Sequence, residues 1–180
     1  MEGLSDDFAK AFGHLVYQSA NVETGLKVCL AGMIDIRPIH VLALAEPYTG
    51  PQLRQVVKSL AKSSHWPDGA LEHLVELIGR SKAHKNLRNH IAHSRWTKGT
   101  REGSIKPMGM KINNEKIQTF GHKDEEEDWL PSEIMDAAEE LRVFCGDLLA
   151  FNDKFGLTER LEKRLPKTDT LSSGEAKPSP

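Results

Sequence analysis

The chain has 180 residues, with 24 Lys and Arg against 26 Asp and Glu, a net charge of -2 and a pI near 6.4, so nothing global points to nucleic acid or a membrane surface. With 38% hydrophobic and 28% charged residues it can bury a sizeable core and lies outside the disordered regime, and its length favours one domain. Cys29 and Cys145 sit far apart in apolar helical patterns with no Cys-x-x-Cys pair, which excludes a cysteine-based zinc site or redox couple and reads as two reduced thiols.

In chain order, Ser5-Asp6-Asp7 supplies a helix cap and first-turn negative charge. Phe8, Phe12, Leu15, Val22, Leu26 and Leu30 then recur at helical spacing, predicting a first helix to about residue 34 or 36, closed by Pro38. Residues 37–50 read as a connector with a short apolar piece. A second helix is expected from about Pro51, with Leu53, Val56, Val57 and Leu60 as its inner stripe, to Ser63-Ser64. A third begins near Pro67-Asp68 and is predicted to run unbroken to about Trp96.

Turn residues then interrupt the rhythm. Ser104–Ile112 and Glu115–His122, with Asn113-Asn114 between them, predict a β-hairpin. The acidic run 124–128 leads into a last long helix from Pro131 or Ser132 to Phe155-Gly156, with Ile134, Leu141, Phe144, Leu148 and Phe151 inward and a short helical turn beyond it to about Leu165. The expected fold is all-α: an antiparallel helical bundle of three to four main helices, with a β-hairpin inserted before the last helix. It forms one domain over 1–165, with 97–130 as the insertion, and a tail over 166–180 whose composition reads as disordered. The polar, acidic start gives no sign of a secretory leader and no apolar run is long enough to span a bilayer, so the expectation is a cytoplasmic protein without membrane contact.

The charge distribution is uneven. Between residues 79 and 101 there are Arg80, Lys82, Lys85, Arg88, Arg95, Lys98 and Arg101, with no Asp or Glu. Such a stripe suits a phosphate backbone; equally it suits a solvated face, or one that meets the acidic run 124–128 of the same chain. At about 100° per residue, Lys85, Arg88, Asn89, Ala92, His93 and Trp96 fall within one sector, while Leu87, Ile91 and His90 point elsewhere. Asn89 and His93, one turn apart, are within reach of each other. An arginine to hold a phosphate, a histidine to move a proton near neutral pH and a polar neighbour to orient them are what RNA cleavage by the substrate's own 2′-hydroxyl requires. His84, one turn before Arg88, is a candidate auxiliary contact. Trp96 either stacks on a base or packs against the last helix, and Glu23 either pairs with a basic residue of the third helix or is solvated. No P-loop, Rossmann glycine pattern or His-Glu-x-x-His motif is present.

Arg88-Asn89-His90-Ile91-Ala92-His93 resembles the signature of HEPN domains, an Arg followed by a polar residue and then a His after four intervening residues, and Ala92-His93-Ser94-Arg95-Trp96 resembles its frequent bacterial form. The resemblance covers about residues 5–160. It implies a helical bundle that pairs through its signature helices into a homodimer. The implied activity is a metal-independent endoribonuclease needing no cofactor, often a toxin or defence effector with an antitoxin partner. Carried over, Arg88 would hold the phosphate, His93 act as general acid or base, and Asn89 orient; Lys85, His84, Arg95 and Lys82 would contact RNA. Other members of the family have lost catalysis and serve as dimerisation modules or bind RNA or nucleotide, which is the alternative for this chain.

Overall fold

The computed structural model describes residues 4–34, 36–113, 116–120 and 128–165. The protein is mostly helical with a small antiparallel sheet. Asp124–Glu127 of the acidic run and the tail 166–180 lie outside the described residues, as does the Asn114-Glu115 tip of the expected hairpin.

The first helix, α1, spans Asp6–Met33 and buries Phe8, Leu15, Val22, Leu26 and Leu30. The Arg164 guanidinium donates to Ala31 O in the last turn of α1 (2.8 Å), a carbonyl with no partner within the helix, and to Ile36 O beyond its end (3.1 Å). The segment read as a connector contains a helix, α2 (Pro38–Ala45), with proline at its first turn. The next, α3, spans Gly50–Ser63 and buries Leu53, Val57 and Ala61; the Thr49 backbone N–H donates to Gln52 Oε1 at 2.9 Å.

The third helix is not continuous. It divides into α4 (Ala70–Arg80) and α5 (Lys85–His93). The Ser81 hydroxyl donates to Ile78 O at 2.7 Å, and His84 is left-handed at φ 57°, so the backbone cannot propagate helically between them. After Ser94, which is extended, the chain enters β1 (Arg95–Lys98); Trp96 is therefore on a strand and not on the helix face assigned to it.

The expected hairpin is present as β2 (Ile105–Asn113) and β3 (Lys116–Phe120), and β1 joins its other side with Trp96 opposite Pro107 and Lys98 opposite Ile105. Asp128 ties this sheet to the last long helix, α6 (Pro131–Lys154). Its Oδ2 accepts from the Thr100 hydroxyl (2.6 Å), the Arg101 N–H (2.9 Å), the Ser104 hydroxyl (3.0 Å) and the Thr100 N–H. Gly99 is required here, since a Cβ would lie 2.1 Å from Ser104 Oγ and 2.7 Å from Asp128 Oδ2. Glu133 Oε2 caps α6 by accepting from the Leu130 N–H at 2.8 Å, and Arg101 holds the same carboxylate at 2.7 Å. A short helix, α7 (Leu157–Glu162), follows.

The helix directions correct the antiparallel expectation in part. Along α4 and α5, Arg80 meets Asp147 and His84 meets Glu140, so these helices run against α6. Along α1, Gly25 lies beside Leu148 of α6 and Gly32 beside Leu157 just beyond it, so α1 and α6 run in the same direction. The reason is α2: about 12 Å of helix carries the chain back, so α3 starts beside Glu23 and ends near Met33, parallel to α1. One hydrophobic core joins α1, α3, α4 and α6, and Leu87 is the buried residue of α5.

Candidate functional site

The faces of α1 and α5 and the start of α3 enclose a groove of about 480 Å³. Arg88, Asn89 and His93 line it from α5, together with Lys85 and His84. Ser19, Val22 and Glu23 line it from α1, Thr49 and Gly50 from the start of α3, and Leu141 from α6. The three residues singled out for chemistry thus share one wall. Lys82 and Arg95 are exposed and stand outside that lining, Lys82 in the break between α4 and α5 and Arg95 on β1.

The contacts within the wall differ from the geometry read off a helical wheel. Arg88, half-buried, donates from Nη1 to Asn89 Oδ1 at 3.4 Å. Asn89 therefore serves Arg88, while the exposed His93 imidazole makes no hydrogen bond among the described residues. His90 lies elsewhere, with Nδ1 3.1 Å from Ser94 Oγ. His84 Nε2 is 2.7 Å from Glu140 Oε2, so this auxiliary residue is tethered to α6 at the edge of the groove. Trp96 packs on Phe12 of α1, ring centroids 4.9 Å apart; its buried indole N–H has no hydrogen-bond partner among the described residues.

The basic stripe is compensated at its ends and open in its middle. Arg80 pairs with Asp147 and Arg101 with Glu133, each at 2.7 Å. Among the described residues, Lys82, Lys85, Arg88, Arg95 and Lys98 make no ion pair. Positive charge is thereby concentrated on and around the groove wall.

Sequence reasoning passed over Arg54. It projects from α3, its Nη1 donating to Ser81 O at 3.5 Å, and burial pushes its pKa below the usual arginine value against the opposing pull of Glu23. Arg54, and not a residue of α5, is the counter-charge of Glu23. The available signal was slight: a lone cation between Leu53 and Val57, on the margin of the α3 apolar stripe. The site thus combines a cationic wall that would attract an anion with an imidazole and a half-buried carboxylate, groups able to take or give a proton. Among the described residues no group of three or more His, Cys, Asp or Glu side chains is arranged to hold a metal ion, and no helix is long and apolar enough to cross a membrane. No family model, curated protein or solved structure matches the chain.

Proposed function

We propose that this protein is a metal-independent endoribonuclease of HEPN type. The single observation that carries the reading is the convergence of Arg88, Asn89, His93 and Lys85 on one groove wall whose cations are unpaired among the described residues. In the proposed reaction His93 takes the proton of a ribose 2′-hydroxyl. The freed oxygen attacks the adjacent phosphorus, Arg88 offsets the charge that builds on the phosphoryl oxygens, and the bond to the 5′-oxygen breaks as that oxygen gains a proton. The products are a 2′,3′-cyclic phosphate and a free 5′-hydroxyl. One imidazole acts as base, and a second copy of the chain docked through α5 would bring a second imidazole to act as acid. This pairing, the HEPN-type bundle arrangement, a cytoplasmic setting and a toxin or defence role with an antitoxin partner belong to the same proposal.

The test is incubation of the purified full chain with mixed RNA in EDTA. The expected result is cleavage with 2′,3′-cyclic phosphate ends, abolished by Arg88→Ala and by His93→Ala. Wild-type protein that leaves every RNA pool intact overturns the reading. One observation favours the alternative of a non-catalytic module that dimerises or binds RNA or nucleotide: His93 has no partner among the described residues to fix its tautomer, because Asn89 is turned to Arg88. Under that alternative, Arg88→Ala weakens RNA binding while His93→Ala leaves it unchanged.

A further inference from the structure

The groove contains a feature that phosphate binding does not explain. Glu23 lines it beside Arg88 and Asn89, half-buried, and among the described residues its carboxylate accepts no hydrogen bond. Arg54 acts on it through space without forming an ion pair. The donors nearest in sequence to the adjoining start of α3 are already used, since the Thr49 N–H and hydroxyl both meet Gln52 Oε1 at 2.9 Å. The carboxylate also stays open to the groove on that side, because Gly50 has no side chain; a Cβ there would stand 3.1 Å from Glu23 Oε1.

The Glu23 oxygens are not sealed off from solvent, and a ligand that displaces water from them must bring hydrogen-bond donors of its own. A phosphate cannot supply them, being an acceptor of the same charge. The donors must come from a sugar or a base, and the bases differ sharply. Guanine presents two adjacent donors on its Watson–Crick edge, N1–H and the N2 amino group, which match the two oxygens of a carboxylate. Adenine and cytosine place an acceptor beside their amino group, and uracil has one N–H between two carbonyls. The groove also has apolar walls for a planar ring: Val22 and Leu141, both buried, face the carboxylate's surroundings from α1 and α6, and its volume of about 480 Å³ accommodates a nucleotide.

We propose that Glu23 reads a guanine base in this groove through N1–H and the N2 amino group, while Arg88 and Lys85 hold the adjoining phosphate. The inference rests on the RNA reading above and names the base that site selects. Guanine carried by a free nucleotide has the same edge, so the test separates the two sources.

The experiment is fluorescence anisotropy at constant salt with full-length His93→Ala protein, which retains Glu23 and does not consume the RNA. The probes are labelled pentaribonucleotides AAAAA, AAGAA and AAIAA, where I is inosine, which keeps the ribose and N1–H and lacks the N2 amino group. Unlabelled 5′-GMP is the competitor. The expected result is that AAGAA binds at least about tenfold more tightly than AAAAA, with AAIAA between them. Glu23→Gln, in the same His93→Ala background, is expected to bring the three within about twofold without weakening AAAAA. Equal affinities for AAGAA, AAIAA and AAAAA overturn the proposal and leave the RNA reading standing. Failure to bind any pentamer, with no displacement by 5′-GMP, overturns both. Tighter binding of 5′-GMP than of AAGAA, lost in Glu23→Gln, supports the guanine site and overturns RNA as its source.

Discussion

His84 Nε2 and Glu140 Oε2 stand 2.7 Å apart, joining the first residue before α5 to the middle of α6. His84 is also the one non-glycine residue with positive φ among the described residues. The side-chain bond thus anchors a backbone conformation that an L-residue adopts at a cost of about 1 kcal/mol or more. Replacing His84 tests the two effects separately. His84→Ala loses the bond and keeps the strain, whereas His84→Gly loses the bond and relieves it. Urea denaturation is expected to find His84→Ala less stable than His84→Gly by about 1 kcal/mol. Equal stabilities would show that the turn is unstrained.

Two glycines of α1 should respond oppositely to the same substitution. A Cβ on Gly32 would lie 2.6 Å from Leu157 Cβ and 2.9 Å from its carbonyl oxygen, so Gly32→Ala must push α7 away and is expected to cost about 1–3 kcal/mol. Gly13 has nothing within 4 Å of that position, and Gly13→Ala should gain up to about 1 kcal/mol from helix propensity alone. Thermal melts of the two variants, moving in opposite directions from wild type, check both.

Asp128 makes stability depend on acid. Burial works to raise its pKa, but the bonds from the Thr100 hydroxyl, the Arg101 and Thr100 N–H groups and the Ser104 hydroxyl outweigh it and hold the carboxyl at about 2, below the ordinary 3.8. A group depressed in the folded state contributes stability above its unfolded pKa and loses it as pH falls through the folded one. The melting temperature of wild type should therefore fall between about pH 4 and pH 2, where Asp128 takes up its proton. Asp128→Asn, less stable than wild type at pH 7 by about 1–3 kcal/mol, should show a shallower fall across that interval. Parallel curves for the two proteins would remove Asp128 as the titrating group.

Salt dependence should separate the open cations from the paired ones. Lys85 is without an ion pair among the described residues, whereas Arg80 is held by Asp147 at 2.7 Å. If Lys85 meets a phosphate, Lys85→Ala should lower the slope of log K against log salt by about 0.7 for single-stranded RNA, and Arg80→Ala should leave it near the wild-type value. The opposite ranking would place the nucleic acid on another face.

Helices α1, α3 and α6 were legible because each carries a long one-sided apolar stripe with proline or acidic residues at its start. α2 was not: Val41-Leu42-Ala43-Leu44-Ala45 is apolar all round and too short for a period to declare itself. The break before α5 was hidden because part of its cause is tertiary: beside the local Ser81 bond to Ile78 O, the left-handed His84 is held by a glutamate 56 residues further along the chain. β1 was hidden for a similar reason, since Arg95-Trp96-Thr97-Lys98 becomes a strand only when β2 lies beside it. In the groove, Arg88, Asn89 and His93 could be grouped from spacing within one helix. The juxtaposition of Glu23 with Arg54 and Gly50 spans α1 and α3 and has no local signature.

The division of the third helix has a consequence for where the molecule opens first. The nine-residue α5 buries Leu87 as its core anchor, and its upstream end is pinned by a half-exposed histidine–glutamate bond. Too short to persist alone, it depends on that pin and on β1 for its integrity. Its amides should exchange with solvent through a local opening that costs less than global unfolding, while those of α1 and α6 wait for the whole core to open. The segment bearing Arg88 and His93 is then a separable unit of the fold, able to be ordered by whatever settles into the groove beside it.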